Sequence, residues 1–373
     1  MAPLLTRKQL LQRSGAAVLG LSAAAQLAAC GGDSDELVFS SWPEYIDADA
    51  RSGSHPTLDR FSKQQGVEVR YVPEINDYAE YFAKLRPQLA RGQSGGRDLI
   101  VAVDWLAARM RRLGYVQRLD ALELPHVRRN LVERLRSPSF DAQRRYSVPW
   151  QSGQTGLVYR RDAVGGDLTS LDEIFAPRFR GKVVLQSEMR DTVGLMMLAA
   201  GDDPERDGLD SALAAVERVE RAVHDGHVRG FSGLDYRNAL LSGDAEIAFG
   251  WSGDAVQLRR EQPQIRFAHP AEGFMLWTDN LQIPVGAPHV DAARRLIDFY
   301  YRPDVQLRLT RYLHYVPPVD GVRELAARHE PALAEDPLVF PGDRLLARAR
   351  VFRNLPPAQE RHLDAAFQRA LGA

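Results

Sequence analysis

Cysteine is almost absent from this sequence of 373 residues, since Cys30 is the only one. No disulfide can form within the chain, which excludes a small disulfide-stabilised fold. Lysine is also scarce: the chain has four lysines, and its many arginines are scattered and balanced by 49 acidic residues. With a formal net charge of −1 and no basic stripe, the sequence gives no reason to expect a nucleic-acid partner.

Long apolar runs are missing from the body of the chain. No stretch of about 20 apolar residues occurs there, so no internal membrane-spanning helix is predicted. The length and a hydrophobic content of 45% are ample for a sizeable core. Together they indicate two domains or one large domain.

The first 36 residues have the pattern of a targeting segment. A charged start at Arg7 and Lys8 precedes a small-residue apolar run at 15–29, which ends in Leu-Ala-Ala-Cys at 27–30. This pattern resembles a bacterial lipobox, whose cysteine is acylated and becomes the mature N-terminus. An ordinary signal peptide with an incidental cysteine is the alternative. We expect export by the general secretory or the twin-arginine route, followed by lipid anchoring on Cys30.

Strand-like apolar runs alternate with helical patterns along the rest of the chain. Such strands are predicted at 37–40, 67–72, 98–103, 182–185 and 245–249. The alternation favours parallel sheets covered by helices on both faces.

Three further runs are interpreted as strands that connect two lobes. The runs at 146–150 and 156–159 cross to a second lobe, and the run at 280–284 returns to the first. The predicted boundaries are 1–36 for the targeting segment, 37–149 and 278–318 for the first lobe, and 150–277 and 319–373 for the second.

Three motifs occur in order at compatible spacings. They are Ser-Trp-Pro-Glu-Tyr at 41–45, Asp-Leu-Ile-Val at 98–101 followed by Met110 to Asp120, and Trp277-Thr278-Asp279-Asn280 before a predicted strand. The chain thereby resembles the bacterial spermidine/putrescine-binding proteins of ABC importers. The resemblance covers nearly the whole chain after the targeting segment.

This resemblance implies a type II periplasmic-binding-protein fold, in which two crossing strands join two α/β lobes around a ligand cleft. It implies an extracytoplasmic protein that captures a polyamine and delivers it to the permease of an importer, without enzyme activity, cofactor or metal. With the lipobox, we expect a monomeric lipoprotein. Its only membrane contact would be the lipid anchor. The ligand-binding residues carried over are Trp42, Glu44, Tyr45, Trp105, Glu188, Asp191, Trp251, Trp277, Asp279 and Tyr315.

The chemistry of these residues suits a polyamine, which is an apolar chain with spaced ammonium groups. Separated carboxylates can pair with each ammonium, and aromatic faces can hold the methylenes and add cation–π attraction. Four of the five tryptophans are expected at strand ends or loops, each near an acid. Ligands of open α/β sheets bind beyond the carboxyl ends of the strands.

Some features leave the identity of the ligand open. Arg353 is expected near a position that the family fills with glutamine, where it would repel a cation unless Asp104 or Asp254 neutralised it. A binding protein for another cationic or amide-bearing solute is therefore an alternative. A hydrolase using Ser252, or Glu188 with Asp279, is an alternative of another class.

Cys30→Ser tests the lipobox interpretation. The variant should be released from membranes with ligand binding unchanged, because two or more acyl chains anchor stably and the cysteine carries them. Fractionation and the mass of the mature protein measure this. A wild-type protein that is already fully released and unlipidated would contradict the interpretation.

Overall fold

The computed structural model describes residues 36–372, so Cys30 and the predicted targeting segment lie outside the described residues. Ten strands form one sheet. They are β1 (Glu36–Ser41), β2 (Glu68–Pro73), β3 (Leu99–Val103), β4 (Val148–Arg160), β5 (Val183–Gln186), β6 (Val228–Ser232), β7 (Ile247–Trp251), β8 (Ile265–Ala268), β9 (Phe274–Gln282) and β10 (Ala349–Arg350). The order is β2-β1-β3-β9-β4-β7-β5-β6, with β10 beside β9 and β8 beside β4.

Helices connect and cover these strands. They are α1 (Pro56–Gln65), α2 (Tyr78–Leu89), α3 (Asp104–Arg112), α4 (Pro125–Asn130), α5 (Arg161–Val164), α6 (Met189–Ala200), α7 (Leu209–His224), α8 (Tyr236–Ser242), α9 (Ser252–Glu261), α10 (Val290–Tyr300), α11 (Pro303–Leu313), α12 (Val322–His329), α13 (Pro331–Ala334), α14 (Asp343–Leu346) and α15 (Pro357–Leu371). Among residues 36–372, none of the helices is long and apolar enough to cross a bilayer.

The long strands β4 and β9 belong to both halves of the sheet. The first part of β4 pairs antiparallel with β9, and residues 155–159 near its end pair with β7. The far edge of β9 pairs with β3 through residues 279–282. Two strands therefore carry the chain between the β1–β3 half and the β5–β7 half.

Two expectations about these strands were wrong in detail. The runs at 146–150 and 156–159 are one continuous strand, β4. The strand expected at 280–284 begins at Phe274, so Trp277 and Asp279 lie inside β9 rather than before it. Hydrophobic periodicity misses this because polar side chains in mid-strand find partners: the Thr278 and Ser152 hydroxyls are 2.8 Å apart.

Two hydrophobic cores lie under the helices. One gathers buried side chains such as Phe39, Leu85 and Leu296. The other gathers side chains such as Val193 and Phe367. Parallel pairing of β1 with β3, and of β5 with β7, places the carboxyl ends of these strands at common edges.

Local signals fix where the helices near those edges begin. The Asp77 carboxylate accepts hydrogen bonds from the backbone N–H groups of Ala79 (2.8 Å) and Glu80 (3.0 Å), which caps α2. Tyr78 is therefore held in the first turn of the helix. The preceding helix, α1, ends at Gly66, whose φ of 66° lies in the left-handed region that favours glycine.

Gly153→Ala tests the packing at the centre of the sheet. Gly153 lies opposite Trp277 on β4 and β9, and a β-carbon there would overlap the Trp277 ring. We expect a loss of about 1–3 kcal/mol of unfolding free energy, measured by urea denaturation. Gly230→Ala in β6 is the control, since no atom lies within 4 Å of its added β-carbon. Equal stability of the two variants would contradict this packing.

Candidate ligand-binding site

The carboxyl ends of strands from both halves of the sheet face one cavity. Trp42 follows β1, Trp105 follows β3, Glu188 follows β5, and Trp251 is the last residue of β7. Asp279 reaches the same place from β9, where it pairs with Val103 at the end of β3. This is the expected position for the ligand of an open α/β sheet.

The cavity has a volume of about 100 Å³, which suits a small solute. All ten residues predicted to bind the ligand line it. They are Trp42, Glu44, Tyr45, Trp105, Glu188, Asp191, Trp251, Trp277, Asp279 and Tyr315. Asp104 and Asp254, which were expected near the cleft, line it too.

Asp279 is the most fully enclosed acid of the site. Its side chain accepts hydrogen bonds from the hydroxyls of Tyr78 (2.5 Å) and Tyr45 (2.8 Å), and the residue is 3% exposed. Burial raises the pKa of Asp279 to about 7, although the two tyrosine hydroxyls favour the charged form. A cation beside this carboxylate would restore the charge that burial disfavours.

Asp191 and Glu188 supply two more carboxyl groups from the start of α6. Asp191 is buried and accepts a hydrogen bond from the indole Nε1 of Trp251 at 2.8 Å. Its burial raises the pKa of Asp191 to about 6. Glu188 accepts the backbone N–H of Tyr78 at 3.0 Å. Desolvation and the neighbouring Asp77 raise the pKa of Glu188 well above its usual value.

Asp254 and Asp104 are two further acids of the cavity. Asp254 is buried and accepts hydrogen bonds from the hydroxyls of Tyr236 (2.6 Å) and Tyr315 (3.2 Å). Asp104 accepts one from the Asn280 amide at 2.8 Å. Burial raises the pKa of Asp254, and it raises the pKa of Asp104 to about 6. Five carboxyl groups thus share one poorly solvated space.

Aromatic rings pack edge to face along the cavity. The ring centroids lie 5.8 Å apart for Trp42 and Trp251, 6.3 Å for Trp251 and Trp277, 5.3 Å for Trp277 and Tyr315, and 5.8 Å for Tyr315 and Tyr45. Edge-to-face packing stabilises ring pairs and leaves ring faces for other groups. Such faces suit methylene chains and ammonium groups.

Trp105 differs from the other aromatic residues because protein cations lie over its ring. The guanidinium carbons of Arg190 and Arg109 are 4.2 Å and 4.7 Å from its centroid. Both arginines also contact the Glu360 carboxylate of α15, at 2.9 Å and 3.0 Å. Trp105 therefore lines the cavity while its cation–π capacity is used by the protein itself.

The arginines that line the cavity are not the one expected there. Arg353 is exposed, hydrogen-bonds the carbonyl of Arg206 and does not line the cavity. The guanidinium groups that do line it belong to Arg190 and Arg237. Arg237 contacts Glu44 at 3.2 Å. Sequence reasoning missed both arginines, and also Tyr78, because none of the three lies in a motif.

The geometry gives little support to a hydrolase that uses Ser252. Ser252 is fully buried, and its hydroxyl accepts the backbone N–H of Gln154 at 3.3 Å rather than facing the cavity. Among residues 36–372, no group of three His, Cys, Asp or Glu side chains is placed to hold a metal ion. What the arrangement can do is surround a small cationic solute with carboxylates and rings.

A cavity where strands from two α/β halves meet is the arrangement of a two-lobed solute-binding protein. The sequence model of one protein family, the bacterial extracellular solute-binding proteins, matches residues 57–341. The chain belongs to this family, which functions by binding a solute outside the cytoplasm.

Solved structures confirm the expected type II periplasmic-binding-protein fold. A spermidine/putrescine ABC transporter protein from Listeria monocytogenes superimposes with a TM-score of 0.77 at 23% identity, over 90% of this chain and 99% of that one. The Tp0655 (TpPotD) lipoprotein of Treponema pallidum gives 0.75 at 19% identity, over 91% and 100%.

Curated relatives cover most of both chains. The chain is 27% identical to the spermidine/putrescine-binding periplasmic protein 1 of Haemophilus influenzae, over 84% of this chain and 82% of that protein. It is also 27% identical to the spermidine/putrescine-binding periplasmic protein of Escherichia coli K12, over 89% of each chain.

The raised pKa of Asp279 predicts an effect of Asp279→Asn on stability. A raised carboxyl pKa means that the folded protein binds more protons than the unfolded chain below about pH 7, so stability falls as pH rises through that range. The variant should therefore gain roughly 1–3 kcal/mol of unfolding free energy at pH 8 without ligand, and the gain should shrink towards pH 6.

Urea denaturation of ligand-free protein between pH 6 and 8 measures this effect. Asp304→Asn is the control, because the pKa of Asp304 is lowered and its carboxyl stays charged over this range. A pH-independent difference between wild type and Asp279→Asn would refute the desolvation of Asp279.

Proposed function

We propose that this protein is the polyamine-binding component of an ABC importer, with a ligand of the putrescine and spermidine class. The observation that carries the proposal is the Asp279 carboxylate, buried between two tyrosine hydroxyls inside a cage of tryptophan and tyrosine rings. The ten residues of the cage and its rim are proposed as ligand-binding residues. The names of the relatives from Haemophilus influenzae and Escherichia coli agree with this ligand class.

The charge of the cavity supports a cation over a neutral solute. Asp279, Asp191 and Asp254 are at most 8% exposed, and none of them has an arginine or lysine within 4 Å among the described residues. Buried charges without partners are costly, so a neutral solute would leave the acids unpaired. Ammonium groups would pair with them, and the rings would cover the methylenes between.

Closure of the cleft follows from contacts between the two halves of the sheet. The Tyr78 amide on α2 donates to Glu188 at the start of α6, and Arg237 on α8 contacts Glu44 after β1. Without a ligand, bringing the acids together costs desolvation and repulsion, which favours an open form. A polycation reverses both effects, so that binding shifts the population to the closed form.

We also propose an oligomeric state, a location and a partner for the protein. We infer that the protein works as a monomer, is anchored by lipid on Cys30 after export, and delivers its ligand to a membrane permease. The Treponema pallidum neighbour is itself named a lipoprotein. The lobe boundaries proposed from the sequence, 37–149 with 278–318 and 150–277 with 319–373, describe the two bodies that close.

A binding protein for another cationic or amide-bearing solute is the second candidate. The AgtB binding protein of Agrobacterium tumefaciens in complex with agropinic acid superimposes with a TM-score of 0.71 at 20% identity. Arg190 and Arg237 line the present cavity and could meet a carboxylate. Both are already paired with acids, which favours the polyamine.

Substitution of Asp279 tests the proposed function. Asp279→Ala would leave a bound ammonium unpaired, which costs about 2–5 kcal/mol, or roughly thirtyfold to several thousandfold in affinity. Asp279→Asn should be nearly as damaging, because the amide keeps the shape and loses the charge. Calorimetric titration with putrescine and spermidine measures the affinity.

The ligand is recovered after titration and identified by mass. Intact ligand with a charge-dependent loss of affinity supports capture for transport. Wild-type affinity in Asp279→Asn would disprove the role of this residue, and a chemically altered ligand would disprove the transport function.

A further inference from the structure

Two guanidinium groups line a cavity that is otherwise rich in acids. Arg190 is bound to Glu360 at 2.9 Å and lies over Trp105, so its charge is engaged at the wall. Arg237 is placed differently, since it lies at the rim beside Glu44, whose side chain is 62% exposed. A fixed cation in a site for cations calls for an explanation.

Arg237 neutralises one end of the cavity. Its Nη1 donates to the Glu44 carboxylate at 3.2 Å, and its Nη2 donates to the amide oxygen of Gln257 at 3.3 Å. It also lies within electrostatic range of Asp254, whose carboxylate accepts the Tyr236 and Tyr315 hydroxyls. Two of the acids in the site therefore have a cation of the protein nearby.

The opposite acid, Asp279, lies across a pair of aromatic rings. The Tyr315 hydroxyl binds Asp254 and the Tyr45 hydroxyl binds Asp279, while the two rings pack edge to face with centroids 5.8 Å apart. A polyamine whose first ammonium groups pair with Asp279 and its neighbour Asp191 would extend past these rings. Its far end would arrive beside Arg237.

We propose that Arg237 is a specificity-determining residue, whose guanidinium takes the place that the third ammonium of a longer polyamine would otherwise occupy and so favours a diamine over a triamine. This inference rests on the proposed polyamine-binding function. A diamine carries two charges for the acids that lack a protein cation, whereas the third charge of a triamine must lie beside a guanidinium or displace it from Glu44. Like charges brought together in a poorly solvated site repel strongly.

The ratio of the affinities for spermidine and putrescine measures this effect. In Arg237→Gln, Glu44 and Asp254 become free for an ammonium, so the affinity for spermidine relative to putrescine should rise about tenfold or more. Arg237→Lys keeps the cation and should keep the wild-type ratio. Arg259→Gln is the matched control, because Arg259 pairs with Asp336 at 3.3 Å and does not line the cavity.

A merely structural role for the Arg237–Glu44 ion pair predicts a different pattern. Glu44→Gln breaks the same pair but removes the negative charge, so the ratio should move further towards putrescine. If the pair only closed the cleft, Arg237→Gln and Glu44→Gln would weaken both ligands alike and leave the ratio unchanged.

The outcomes separate this inference from the function on which it rests. Opposite shifts of the ratio in Arg237→Gln and Glu44→Gln support the role of Arg237. An unchanged ratio in Arg237→Gln, or the same shift in Arg237→Lys, overturns it while polyamine binding stands. A wild-type protein that binds neither polyamine overturns the proposed function and this inference together.

Discussion

The confinement of several carboxyl groups in one poorly solvated cavity is the constraint on which the rest of the structure depends. Asp279, Asp191 and Asp254 are all nearly inaccessible to water. Each is held by neutral donors, namely tyrosine hydroxyls or an indole N–H, rather than by arginine or lysine. Neutral donors satisfy hydrogen bonding without cancelling charge, so the site retains an attraction for cations that ion pairs would remove.

The sheet makes this confinement possible. Asp279 lies in β9 between Val103 of β3 and Gln151 of β4, at the seam where the two halves join. Strands that run through both halves put an acid from the hinge beside residues that follow β1, β5 and β7. In the proposed function, movement of one half against the other about these strands opens and closes the cavity.

Much of this could be predicted from the sequence, and the failures have physical reasons. Trp277 and Asp279 could be found because they stand in a short motif, but their place inside β9 could not, since polar residues in mid-strand hide its hydrophobic pattern. Tyr78 was not predicted as a site residue, because in the sequence a tyrosine at a helix start cannot be told from a core residue. Only the structure shows its hydroxyl donating to Asp279. Arg237 and Arg190 were not predicted as site residues, because arginine is abundant in the chain and only tertiary contacts distinguish these two.

Proton exchange on ligand binding tests the central claim most directly. Putrescine is titrated calorimetrically at pH 7 in two buffers that differ in ionisation enthalpy. Because burial raises the pKa of Asp279 to about 7, a bound ammonium should lower it and release about half a proton or more per ligand. The release should decline at higher pH, where the carboxyl is already charged. Binding with no proton release at pH 7, or with uptake, would contradict a desolvated carboxylate cage for cations.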